Sequence, residues 1–124
     1  MNANPITAGP PQIPGGINDQ QVHGRYSNYA HHRFSNAKQI EVRNIRRGTL
    51  SGAAEVHYGD KTTRRINLQS VVGYAGEILV DGKEQTVYFL QGCGNDARAG
   101  NFMTGNELRF TPDAEILQNG TAVP

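Results

Sequence analysis

From Gln39 to Thr111 the chain is a series of short β-prone runs, each closed by turn residues, and this spacing constrains the fold more than any other feature. The first run, Gln39-Ile40-Glu41-Val42-Arg43, alternates polar and apolar side chains as a half-buried strand does. Ile45 then falls out of phase with Ile40 and Val42, and a β-bulge near Asn44 would restore its inward direction. Ala54–Tyr58 and Lys61–Leu68 flank Gly59-Asp60 and read as a hairpin. A loop of only Gly59 and Asp60 mixes polar and apolar side chains on both faces. Extending it to Gly59-Asp60-Lys61 lines up Ala54, Val56, Tyr58, Arg64, Ile66 and Leu68 on one face and sets Glu55 opposite Arg65 on the other. A one-residue slip inverts every side chain, so polarity selects the longer loop.

Two further hairpins are expected. Asp81-Gly82 would join Glu77–Val80 to Gln85–Gln91, and Gly105-Asn106 would join Phe102–Thr104 to Glu107–Thr111. Leu79, Val80, Val87, Tyr88, Phe89 and Leu90 are apolar on both faces of their strands and are expected to be the most buried. Helical signals are short. Thr111-Pro112-Asp113-Ala114-Glu115 has a capping Thr, a proline at the first helical position and early acids, which predicts one or two turns. Asn28–Ala37 is a second candidate, with Ala30, Phe34 and Ala37 on one helical face, or else an arm lying across the sheet. The fold class expected is all-β, a small antiparallel barrel or strongly curved sheet of roughly six or seven short strands with at most one or two short helices.

A chain of 124 residues fits one such domain. Pro5, Pro10, Pro11, Pro14 and Gly15-Gly16 crowd the start without any hydrophobic period, so residues 1–20 read as a disordered tail, 21–118 as the β domain and 119–124 as a flexible C-terminus. Apolar residues are 36% of the chain, with no Trp, which predicts a thin core. The longest apolar runs, such as Ile78-Leu79-Val80, fall far below the ~18 residues of a membrane span. No charged and apolar leader opens the sequence, and one cysteine, Cys93, allows no disulfide within the chain, so a cytoplasmic location is the expectation.

Net charge is only +1, but it is unevenly spread. Between residues 21 and 67, Arg25, Arg33, Lys38, Arg43, Arg46, Arg47, Lys61, Arg64 and Arg65 outnumber Glu41, Glu55 and Asp60, while acids prevail beyond residue 68. The segment Arg25–Phe34 also interleaves aromatic and basic groups. Cations neutralise phosphates and aromatic faces stack on bases, so that combination holds single-stranded nucleic acid when both are exposed. When the aromatics instead close one end of a small core, the same residues are structural. The leading expectation is a non-enzymatic binding module that engages an acidic partner, nucleic acid or protein, through Arg25, Tyr26, Tyr29, Arg33, Phe34, Arg46, Arg47, Arg64 and Arg65.

Exposed strand edges supply a second expectation, a protein-interaction module such as a small accessory or inhibitor protein, or a homo-oligomer. A third places a small ligand or an enzyme at the glycine-rich loop around Cys93, with Gly92, Cys93, Gly94, Asn95 and Arg98 as candidate residues. That loop has no phosphate-loop spacing. No catalytic residue is indicated elsewhere. His23, His31, His32 and His57 lack metal-ligand spacing, and neither a metal nor a cofactor is expected.

Overall fold

The computed structural model describes residues 19–57, 62–90 and 101–117. Two sequence intervals that look like strand boundaries are bends inside longer strands. The runs at Ile40–Arg43 and Ala54–His57 both belong to β1 (Ile40–His57), and those at Thr63–Leu68 and Glu77–Val80 both belong to β2 (Thr63–Val80), each 18 residues long. The sheet therefore has five strands rather than six or seven. Bulges absorb the breaks in phase. Register shifts between Arg43 and Arg46, where Asn44 has φ 58°, and again between Leu50 and Gly52, where Ser70 across the ladder has φ 53°. The first of these turns Ile45 inward, as its phase required.

β1 and β2 pair with Ala54 opposite Ile66, Glu55 opposite Arg65 and Val56 opposite Arg64, the register that segregates polarity. The turn itself, 58–61, lies outside the described residues. β3 (Lys83–Leu90) returns along Gly73–Val80 through Asp81-Gly82, whose φ values of 51° and 86° are those of a type I′ turn. β4 (Asn101–Thr104) joins β3 to the end of β1, so β1, β2, β3 and β4 close a ring of four strands. β5 (Arg109–Ile116) adds to β1 outside that ring, which makes a strongly curved sheet rather than a clean barrel.

Three expectations need correction. Gly105-Asn106 does not turn a hairpin: β4 and β5 both run antiparallel to β1, one after the other along the same edge. Glycine serves close approach here, since a Cβ on Gly105 would lie 3.0 Å from Ala53 O, and one on Gly52 (φ 115°) would lie within contact of Glu107 O. Thr111–Glu115 is strand, not helix. Pro112 sits on the outermost strand, where a missing N–H breaks no ladder, and a bulge at Ala114 (φ 65°) replaces the helical turn. Finally, α1 (Asp19–Arg33, 15 residues) is longer than the short helix expected at Asn28–Ala37, and it begins inside the stretch read as tail. Residues 1–18 lie outside the described residues.

α1 carries Asp19 in its first turn and His31, His32 and Arg33 in its last, which suits the helix dipole. Val22, Tyr26 and Ala30, four residues apart, are fully buried against the sheet. They pack with Val42, Ile45, Tyr74, Ile78, Val87, Phe89 and Phe102 in one core. Leu50, Ala54, Val56, Leu68, Leu90, Met103 and Leu108 form a second. Val87 and Phe89 belong to the first, and Leu90 and the half-buried Tyr88 to the second, so period-two alternation puts the cores on opposite faces of one sheet. After Phe34 the chain is anchored again: the N–H groups of Lys38 and Gln39 donate to Asp81 Oδ1 at 2.9 and 2.8 Å.

Candidate functional site

The residues expected to share a basic, aromatic surface are distributed over both faces. Tyr26 is a core residue, with no exposed surface. Its hydroxyl donates to Val87 O at 2.8 Å and its ring meets Phe102 edge-on at 5.0 Å, so no base can reach its face. Tyr29 is half-buried and stacks on Phe102 at 4.2 Å, with Phe34 edge-on to it. These aromatics close the end of the α1 core. Arg46 lies on the opposite face, 3.1 Å from Glu77 Oε2 and 5.6 Å from the centroid of Phe110. Arg47 faces α1, where it contacts Asp19 Oδ2 at 2.7 Å and Asp113 Oδ2 at 3.3 Å. Tyr74 donates to the other oxygen of Asp19 at 2.6 Å, so the start of α1 is clasped to β1 and β2. Burial first, and the Asp19 hydrogen bond next, push the Tyr74 phenol well up.

Arg65 pairs with Glu107 at 2.8 Å, both side chains being about two-thirds exposed. Arg25, Arg33 and Arg64 have no ion pair among the described residues. Three of the candidate arginines thus spend their charge on internal acids. Gly92, Cys93, Gly94, Asn95 and Arg98 lie outside the described residues, as does the whole 91–100 segment.

One hydrogen-bonded chain joins residues far apart in the sequence and has no motif there. Tyr29 Oη is 2.8 Å from His57 Nδ1, and His57 Nε2 is 3.3 Å from Thr104 Oγ1. Burial, then the nearby Arg33 charge, lowers the His57 pKa, while burial pushes the Tyr29 phenol up to about 12. Imidazole and phenol are therefore both neutral near pH 7. A protonated phenol cannot stabilise an imidazolium as a carboxylate does in a nucleophilic triad, so the chain ties α1 to β1 and β4. Thr104 also lines an open cleft of about 340 Å³ with Ala53, Glu55, Arg65, Gly105 and Glu107. Within it the Arg65 guanidinium pairs with Glu107 at 2.8 Å, and Glu55 lies across the ladder from Arg65. Among the described residues no group of three or more His, Cys, Asp or Glu could hold a metal ion, and no helix is long and apolar enough to cross a membrane.

The least satisfied feature is backbone. β1 is paired on both edges over much of its length, by β2 on one side and by β4 and β5 on the other. β2 is paired on both edges only from Gly73 onward; Thr63–Val72 meets β1 alone among the described residues. The straight part, Thr63–Leu68, precedes the bulge at Ser70 and contains no proline, glycine or acid. β5 and the Lys83–Val87 part of β3, which meets β2 alone among the described residues, are also edges. Pro112, Asp113, Glu115 and the Ala114 bulge obstruct the first, and the charges of Lys83 and Glu84 and the Tyr26 hydrogen bond to Val87 O occupy the second. Val72 and Ile116, 47% and 45% exposed, are the large apolar side chains that stand out from this surface.

Comparison with protein-family models, with curated proteins and with solved structures returned no match.

Proposed function

We propose that the protein is a non-enzymatic interaction module that accepts an extended segment of a partner protein along the outer edge of β2. The observation that carries this reading is the contrast in edge protection. A strand edge presents alternating unpaired N–H and C=O groups, and a docked strand satisfies them while pockets between alternate side chains read its sequence. β5 bears the proline, acids and bulge that discourage such pairing, whereas Thr63–Leu68 bears two arginines and no backbone obstruction. The paired states of Arg46, Arg47 and Arg65 argue against a continuous cationic groove for a nucleic-acid strand.

Photo-crosslinkers placed singly at Asn67 and at Glu115, both exposed, test the proposal in extracts of the source cells. Adducts at Asn67 that are absent at Glu115 are expected. Equal labelling at both positions, or labelling at Glu115 alone, contradicts it.

A further inference from the structure

We infer that the strand taken up by β2 is acidic, with an acidic side chain facing Arg64 and an apolar one two residues away facing Ile66; this rests on the edge-docking reading above. Arg64 and Ile66 point to the same face of β2, the face of the second core, because they lie opposite Val56 and Ala54. Arg64 is exposed and has no ion pair among the described residues, and Ile66 is half-buried at the margin of that core. A strand added to this edge brings its own side chains within about 5 Å of these two, alternating in the same way. The residue beside Arg64 is then best an Asp or Glu, and the one beside Ile66 a Val, Ile or Leu.

The opposite face asks for less. Arg65 already has Glu107 at 2.8 Å and Glu55 directly across the ladder, so an acid next to it meets like charges as well as the guanidinium. Asn67, its exposed neighbour on that face, suits a polar residue. The partner pattern is therefore acid, polar, apolar in either chain direction, with the acid fixed over Arg64.

Charge also disfavours a second copy in the same place. Thr63–Leu68 carries Arg64 and Arg65 and no acid, so two β2 edges joined about a two-fold axis bring only like charges together. Positive charge on an edge is a common guard against self-association. Here the same guard selects for a negatively charged guest.

The test uses the full chain and three short capped peptides of alternating Val and Thr, differing only in one terminal pair: Asp-Asp, Ser-Ser or Lys-Lys. Affinity is read by fluorescence anisotropy at two salt concentrations, and the location by amide hydrogen exchange of Thr63–Leu68. The Asp-Asp peptide is expected to bind tightest and to lose its advantage in high salt. Arg64→Ala should reduce that advantage by about two- to fivefold, the size of one exposed cross-strand ion pair. Arg64→Glu should reverse the ranking in favour of Lys-Lys, and Arg65→Glu should move it less.

Equal protection of β2 amides by all three peptides, unaffected by Arg64→Glu, overturns the acidic preference and leaves edge docking intact. Protection by none of them overturns edge docking itself. Protection of Thr63–Leu68 in concentrated protein without peptide makes a second copy the occupant and overturns the partner assigned here.

Discussion

The two halves of β2 share one partner on their inner edge and differ in nearly everything else. Gly73–Val80 lies between β1 and β3, and its first six residues are all buried, Glu77 among them through its pairing with Arg46. Thr63–Val72 has β1 alone among the described residues, and only Leu68 in it is buried. The sequence of each half matches its surroundings. Gly-Tyr-Ala-Gly-Glu-Ile-Leu-Val offers small or apolar groups to both faces, as a central strand must, whereas Thr-Arg-Arg-Ile-Asn-Leu-Gln alternates as a strand with one wet face does. A continuous ladder on one side says little about what the other side is for.

That contrast predicts where substitutions matter. The largest loss is expected at the α1 plug over the covered half: Tyr26→Ala removes a fully buried ring and should cost about 3–5 kcal/mol in urea unfolding. Asn67→Ala on the open half should stay within about 0.5 kcal/mol, and an equal loss at both sites would break the comparison. Next in size is Gly73→Val, at the boundary. Its Cβ would come within contact of Leu50 Cδ1 and 2.9 Å from Phe89 O, a backbone atom that cannot swing away. Overpacking of this kind costs roughly 1–3 kcal/mol. A neutral result would mean that the ladder between β2 and β3 is looser than described.

Much of this arrangement was legible in the sequence, because period-two polarity determines register. The bulge near Asn44 and the pairing of Glu55 with Arg65 follow from side-chain parity, and the Asp81-Gly82 turn from the positive φ that Asp-Gly tolerates. Strand ends were harder to place, since a bulge and a turn both interrupt the period, and only long-range pairing tells them apart. Gly105-Asn106 shows the same ambiguity for glycine, which serves a tight turn and a close backbone contact equally well. α1 was half visible: Ala30 and Phe34 carry the second part of a four-residue spacing whose first part, Val22 and Tyr26, lies among Gln, His, Gly and Arg and adds little mean hydropathy. The ion pairs of the arginines were not legible for a different reason. Charge is apparent in a sequence, but its neutralisation by Asp19, Glu77, Glu107 and Asp113 depends on contacts between distant segments.

A smaller effect separates the halves by pH. His57, across the ladder from Thr63 at the start of β2, has its pKa lowered by burial and by Arg33, so the folded state holds it neutral more firmly than the unfolded chain does. Its contribution is complete above the ordinary value of 6.5 and is lost as pH falls through the lower folded pKa, because unfolding then takes up a proton. His23, on α1 itself and lowered chiefly by its own burial, acts in the same direction. Stability should therefore decline from pH 7 toward pH 5, and the decline should be shallower in His57→Gln. An identical slope in that variant would remove His57 from the account. Smallest of all is the Arg65–Glu107 pair: with both side chains about two-thirds exposed, Glu107→Gln should cost about 0.2–1 kcal/mol, less in high salt.

Residue-resolved amide exchange along β2, in dilute protein without any peptide, bears most directly on whether one edge stands open. Protection is expected to alternate through Thr63–Leu68, every second amide exchanging fast because it points away from β1, and to be continuous through Gly73–Val80. Continuous protection in both halves would mean that the outer edge is already covered, and no partner strand could dock there.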